Sequence, residues 1–300
     1  MSPALSVVIP TFQRHAMLAR ALGRLEGQRG DFEVLVVDDP ARDDTGAVAE
    51  AIGRRGYPVR QVHGGRGPAI KRNAGWRAAR APLVLFLDDD VLAGPRLIAA
   101  HLDAHAREPQ ETVAVLGPLE WARELRVTPF MRFLEDGIQF DYRAIRGDDA
   151  GWGRFYTANL SIKRALLERA GGFDESFKYP SYEDLELARR LHDVGLVLRY
   201  RRDAVAEHLH APTLESMRAR MAAVASGERR MTELHPDVAP YFHELFSAAI
   251  ADPARGRGRA LARFVPERVP VLGPRVWASA RAAYRRELGS AFLAAWSGPK

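Results

Sequence analysis

The sequence predicts an α/β protein: a mixed, mostly parallel sheet flanked by helices, followed by a helical C-terminal extension. Three observations predict it. Short apolar runs without polar alternation, such as Leu83–Leu87, suit strands buried on both faces. Segments of helical spacing alternate with these runs, as a parallel sheet with crossover helices requires. Polar or acidic residues stand just past three of the runs, at Thr11, Asp38-Asp39 and Asp88-Asp89-Asp90. That is the carboxyl edge, where open α/β sheets place ligands.

The elements follow in order. Ser6–Ile9 is a β-branched strand broken by Pro10-Thr11, and Met17–Leu25 has helical spacing. Phe32–Val37 is a second strand ending at Asp38-Asp39-Pro40, and Thr45–Arg54 is helical. Val59–Val62 is a short strand, His63–Pro68 a glycine-rich loop, Ala69–Ala81 a helix and Pro82–Leu87 a strong strand. Beyond it the pattern predicts a helix at Pro95–Arg107, a strand at Thr112–Leu119 and an irregular stretch at Trp121–Gly153. Phe155–Ile162 leads into a helix at Lys163–Ala170. Ser181 opens another that runs to about Val194. Val197–Tyr200 and Ala204–Glu207 read as strands. After Pro212 the chain is helical, with Pro266, Pro270 and Pro274 marking an irregular connection. We expect a domain over 1–210, with halves of about 1–118 and about 119–210, and a basic extension over 211–300.

Three hundred residues suffice for a sizeable core. The chain has no cysteine, which excludes disulfides, thiolate catalysis and cysteine-bound zinc and fits a reducing compartment. No basic-then-apolar leader and no bilayer-spanning run is visible, so we expect a cytoplasmic protein, with the inner face of the membrane as the alternative. The formal charge of +6 is unevenly spread. Residues 251–300 carry nine Arg and one Lys against Asp252, Glu267 and Glu287, a balance of +7 that leaves −1 for the first 250 residues. The body therefore has no nucleic-acid footprint.

The residues suggest specific chemistry, each with a plainer alternative. In an extended chain, Asp88 and Asp90 share one side and would grip one hard cation, Mg²⁺ or Mn²⁺. The alternative is a solvated acidic turn. Arg72, near a helix start, suits a diphosphate. It could equally lie on a solvated face with Arg77 and Arg80. Glu183 and Asp184 offer a general base, or simply favour the positive end of a helix dipole. His208 and His210 alternate along an extended segment, as ligands or as structural histidines. Trp152 and Asn159 suit an acceptor pocket, an aromatic face for a sugar ring and an amide for its hydroxyls; either could be packing instead.

Seven motifs in order carry a family likeness: Ser6–Thr11, Val36–Asp39, Lys71–Gly75, Phe86–Asp90, Thr157–Arg164, Gly171–Glu175 and Glu183-Asp184. Together they resemble the inverting glycosyltransferases of family 2, which have a Rossmann-like, A-type nucleotide-sugar-binding fold. The resemblance covers about residues 5–210. It implies a nucleotide-sugar site at Pro10, Thr11, Arg14, Asp39, Arg72, Asp88 and Asp89. It implies a divalent cation, Mg²⁺ or Mn²⁺, on Asp90, Asp88 and His208. Asp184 would be the general base, with Glu183 as alternate or orienting partner. Trp152 and Asn159 would border the acceptor.

The activity so implied moves a sugar from a nucleoside-diphosphate donor to a hydroxyl of a glycan, lipid-linked or small-molecule acceptor. Retaining transfer on the same fold and a binding module that has lost catalysis are the alternatives. A sugar nucleotidyltransferase is disfavoured, because Pro10-Thr11-Phe12-Gln13-Arg14 is not the glycine-rich basic loop that chemistry wants after its first strand. In the extension, Trp277, Ala280, Tyr284, Leu288, Phe292 and Ala295 recur at helical spacing, with Arg281, Arg285 and Arg286 elsewhere on the wheel. That helix packs on its domain, or meets an anionic membrane or a second copy.

Overall fold

A computed structural model describes residues 2–179, 181–251 and 258–298. The chain divides into two compact units. The first comprises Met1–Leu125, Ala144–Lys178 and Glu183–His210; the second comprises Arg126–Arg143, Tyr179–Tyr182 and Ala211–Lys300.

The first unit begins with β1 (Leu5–Pro10), α1 (His15–Gly23), β2 (Phe32–Asp38), α2 (Thr45–Ile52), β3 (Val59–His63), α3 (Pro68–Ala78) and β4 (Leu83–Leu87). It continues with β5 (Val91–Ala93), α4 (Leu97–Arg107), β6 (Val113–Leu116) and β7 (Leu119–Trp121). After α5 (Pro129–Leu134), which belongs to the second unit, come β8 (Asn159–Lys163), α6 (Arg164–Ala170), α7 (Glu183–Asp193), β9 (Val197–Tyr200) and β10 (Ala206–His208).

Seven strands form the main sheet in the order β3-β2-β1-β4-β8-β6-β9, all parallel except β8. This is the mixed, mostly parallel sheet the sequence predicts. The apolar runs of β1, β2 and β4 lie almost wholly buried, as strands covered on both faces must. Helix α3 presses so closely on β1 that a Cβ at Gly75 would stand 2.3 Å from a Val8 methyl. Only glycine allows that approach.

A second sheet, β5-β10-β7, pairs His208 with Val91 on one side and with Trp121 on the other. The predicted strand Thr112–Leu119 is thus two strands in two sheets. Pro118 has no N–H to continue the ladder. Gly117 is pinned where a Cβ would meet the Ala204 carbonyl at 2.2 Å.

The second unit is helical: α5, α8 (Leu214–Leu234), α9 (Tyr241–Ala251), α10 (Gly258–Leu261) and α11 (Leu272–Trp296). Thr128 and Thr213 cap α5 and α8 by accepting from the N–H groups of Met131 and Ser216. The α11 stripe of Trp277, Ala280, Tyr284, Leu288 and Phe292 is buried within the unit. Tyr284 meets Phe130 edge-on and Phe133 at a tilt, at ring distances of 5.2 and 5.1 Å, and Phe292 meets Phe246 at 5.3 Å. Arg281 is held by Asp136 and Glu267. The stripe is therefore packing, not an uncovered interfacial face. Among the described residues no helix is long and apolar enough to cross a membrane.

Candidate active site

The site gathers at the carboxyl ends of β1, β2 and β4. Strand β4 stops at Leu87, and Asp89 and Asp90 lie in a turn. The alternation expected to align Asp88 with Asp90 ends there, so the three carboxylates separate. Asp88 turns to Arg72, whose Nη2 lies 3.1 Å from its Oδ1. Asp89 is fully buried and accepts from the Thr11 hydroxyl at 2.8 Å. Arg14 joins Asp89 at 2.5 Å and Asp90 at 2.6 Å. Burial pushes the Asp89 carboxyl up to about 7, with Arg14 opposing the rise.

Pro10 ends β1, and the Thr11 N–H bonds the Val37 carbonyl, tying the first two strand ends together. Asp39 is buried beside them and accepts from the Ala41 N–H. Lys71, to which the sequence reading gave no role, reaches from α3 to the Thr11 carbonyl at 2.5 Å and lies over the Phe12 ring. Burial lowers its pKa against the pull of Asp39, Asp43, Asp89 and Asp38. Asp43, also missed, is buried and accepts from the Gln13 N–H and from His15. The signal for both was the density of acids in 38–44 facing one basic helix segment.

Of the two expectations for Arg72, the solvated face is overturned: its side chain is 6% exposed and bridges two carboxylates, donating to Asp88 and, at 2.7 Å, to Glu183 at the start of α7. Asp184, next along the helix, keeps an accessible edge. Its carboxylate accepts from the Leu185 and Thr157 N–H groups. Burial, reinforced by the Glu183 charge, pushes the Asp184 carboxyl up to about 7, with Arg72 opposing. Trp152 lies in a short 3₁₀ turn packed on α7, its ring 6.2 Å from that of His192.

Of the two readings of Asn159, an acceptor contact or packing, the structure shows packing: it is fully buried, with its amide bound to His101, Ala204 and Pro118. Asn73 likewise clasps the Phe173 backbone through both its N–H and carbonyl.

Among the described residues, no three His, Asp or Glu side chains converge into a ready metal cage. A half-site does fit a hard cation. His208 Nε2 stands 3.6 Å from Asp90 Oδ1, a buried oxygen with no hydrogen-bond partner. Burial lowers the His208 pKa, favouring the neutral imidazole a metal needs, although Asp90 and Asp88 oppose this. Mg²⁺ and Mn²⁺ sites often take only one or two protein ligands and complete themselves with phosphates and water. His210 is exposed, with its ring 6.2 Å from that of His208.

The family model for Glycosyl transferase family 2 matches residues 6–166, more than half of the chain. The chain belongs to glycosyl transferase family 2. It is 33% identical over 282 residues to a validoxylamine A glucosyltransferase of Streptomyces hygroscopicus subsp. limoneus, covering 82% of this chain and 59% of that protein. The chain thus spans about three fifths of that relative's length. Two solved structures share its fold. One is the mannosyltransferase PcManGT from Pyrobaculum calidifontis in complex with GDP-Man and Mn²⁺. It has a TM-score of 0.63 at 19% identity, over 98% of this chain and 88% of that one. The other is S. aureus TarS in complex with UDP, with a TM-score of 0.53 at 17% identity, over 98% and 91%. The fold is therefore that of the A-type glycosyltransferases.

Proposed function

We propose that this family 2 protein transfers a sugar, with inversion, from a nucleoside-diphosphate donor to an acceptor hydroxyl, with Asp184 as general base. One observation carries the reading. Arg72 bonds Asp88 on one side and Glu183 on the other, and leaves Asp184 to two backbone N–H groups with an edge open to solvent. A carboxylate so placed is fixed in direction, basic enough to take a proton and reachable by an acceptor. In the reaction its oxygen takes the hydroxyl proton while the acceptor oxygen bonds the anomeric carbon. The bond to the diphosphate breaks, and its electron pair leaves with the nucleotide. Single-step inversion needs no protein nucleophile.

The donor side is Pro10, Thr11 and Asp39 at the strand ends, with Asp88 toward the ribose and Arg14 toward the diphosphate. Asp90 and His208 would hold a divalent cation, Mg²⁺ or Mn²⁺. When bound, it supplies positive charge against the departing diphosphate. Trp152 borders the acceptor. A thermal-shift panel of UDP, GDP and TDP with and without Mn²⁺ tests the donor assignment. At a hundredfold excess over Kd, the favoured nucleotide should stabilise by about 2.7 kcal/mol. No shift with any nucleotide would overturn the assignment.

The membrane reading moves from α11 to the segment before it. Phe264 is 82% exposed and Val271 67%, among the exposed Arg263, Arg268 and Arg275. Exposed apolar side chains within positive charge suit an anionic lipid surface. Phe264→Ser should weaken sedimentation with phosphatidylserine vesicles, and unchanged binding would remove the reading.

A further inference from the structure

Asn159, Ser161 and Lys163 alternate along β8 and so point to one face of the sheet. His101 and His105 are four apart on α4 and share one helix face. The two faces meet in a buried polar row. Lys163 Nζ lies 3.1 Å from His105 Nδ1, and His105 Nε2 lies 2.9 Å from the Ser161 hydroxyl. That hydroxyl lies 2.8 Å from His101 Nδ1, and His101 Nε2 lies 3.0 Å from Asn159 Oδ1.

Donor and acceptor rules allow one proton order through this row. An ammonium only donates, so His105 Nδ1 must accept and its proton sits on Nε2. The Asn159 Nδ2 faces the carbonyls of Ala204 at 2.8 Å and Pro118 at 3.4 Å. Its Oδ1 must therefore be the acceptor for His101, whose proton also sits on Nε2. Ser161 then accepts from His105 and donates to His101. Lys163 completes its set with the carbonyls of Glu108 and Val113. Burial drives the pKa values of His101 and His105 down to about 4 and about 3, so both rings are neutral near pH 7.

The far end of the row explains its use. Pro118 precedes β7 and Ala204 precedes β10, and Pro118 also accepts from the Ala206 N–H. The Asn159 amide thus ties together the roots of the two strands that carry Trp121 and His208. A Cβ at Gly117 would strike Asn159 Nδ2 at 2.3 Å, so the chain passes as closely as it can.

We propose that Lys163, His105, Ser161 and His101 form a one-way hydrogen-bond chain that fixes Asn159 as a positioning group, which roots β7 and β10 and sets His208 against Asp90. The significance of that last pair rests on the metal-site reading above; the chain itself does not. An unbroken row in a single order leaves Asn159 no alternative rotamer and leaves no buried polar atom of the row unmet.

Histidine-labelled ¹⁵N spectra of the full chain, without metal or nucleotide, test it. Both His101 and His105 should be neutral Nε2–H tautomers at pH 7. A protonated Nδ1 on either ring overturns the order. Ser161→Ala should displace the His208 ring signals although Ser161 is not among its neighbours, and unmoved His208 signals refute the positioning role. Should Ser161→Ala fold poorly, Lys163→Met removes the chain's half-buried end. It should release His105 into mixed tautomers, and a His105 left wholly Nε2–H counts against the chain. Binding of Mn²⁺ alone should weaken several-fold in Ser161→Ala, because a loosened Asn159 no longer sets His208 against Asp90. A wild-type protein that binds no Mn²⁺ would sink the metal reading, while the tautomers and the His208 shifts still decide the chain.

Discussion

Arg14 and Arg72 each hold two carboxylates, but one does so at the surface and the other inside. The Arg14 side chain is 44% exposed and reaches from the loop after β1 to Asp89 and Asp90. The Arg72 side chain is 6% exposed and reaches from the middle of α3 to Asp88 and Glu183. A guanidinium on an exposed tether can swing away when a stronger cation arrives, because water takes over its hydrogen bonds at little cost. A buried one cannot leave without stranding a charge. Asp89 and Asp90 are therefore arranged for exchange, and Asp88 and Glu183 for permanence. That division suits a site in which donor and cation come and go while the base keeps one position.

The largest effect expected from this contrast concerns the carboxylate that Arg72 does not bond. Asp184→Asn should lower transfer by about 10² to 10⁴-fold, the usual contribution of a positioned base, and leave nucleotide affinity within about twofold. Loss of nucleotide binding in a titration would move Asp184 out of that role. The folded-state pKa of Asp184 is raised, so between about 4 and about 7 the native state binds the extra proton. Its contribution to stability falls as pH rises through that window. Asp184→Asn should accordingly raise Tm more at pH 8 than at pH 5, and a larger gain at pH 5 would contradict the shift. Transfer by the wild-type protein should decline below about pH 7 as the base protonates.

Next in size is Arg72→Met. It removes the buried guanidinium that bridges Asp88 and Glu183, and urea unfolding should report a loss of about 3–5 kcal/mol. A loss below about 1 kcal/mol would mean that Arg72 is no more fixed than Arg14. The smallest effect is expected at Arg14. Arg14→Gln should cost less stability than Arg72→Met, because the guanidinium lost is half-exposed and Asp89, already raised to about 7, can take a proton in its place. It should also tighten binding of Mn²⁺ alone several-fold, since a competing cation is gone. Weaker Mn²⁺ binding would show that Arg14 supports the cation instead of competing with it.

The parts of the fold that could be read from the chain are those whose burial is complete. Strands β1, β2 and β4 are bare apolar runs, and a run that meets a helix on each face leaves no other pattern. Strand β5 was missed because Val91-Leu92-Ala93 is too short to show a period and its partners lie more than 100 residues away. For Asn159 the sequence left an acceptor contact and packing both open. Nothing in Asn159-Leu160-Ser161-Ile162-Lys163 says what its polar face meets. That face meets His101 and His105, and only the tertiary pairing of β8 with α4 reveals it. Nothing local to Arg72 shows which acids it joins; they come from residues 88 and 183. What remained hidden in each case is a contact between residues far apart in sequence.

The aromatic cluster in the second unit has a consequence for synthesis. Phe130 and Phe133 find Tyr284 as partner only about 150 residues later in the chain. At translation speeds of about 5–20 residues per second, roughly 8 to 30 s pass before α11 leaves the ribosome. Through that interval two phenylalanines that end up buried stand uncovered on the nascent chain, within reach of a chaperone or of another unfinished copy.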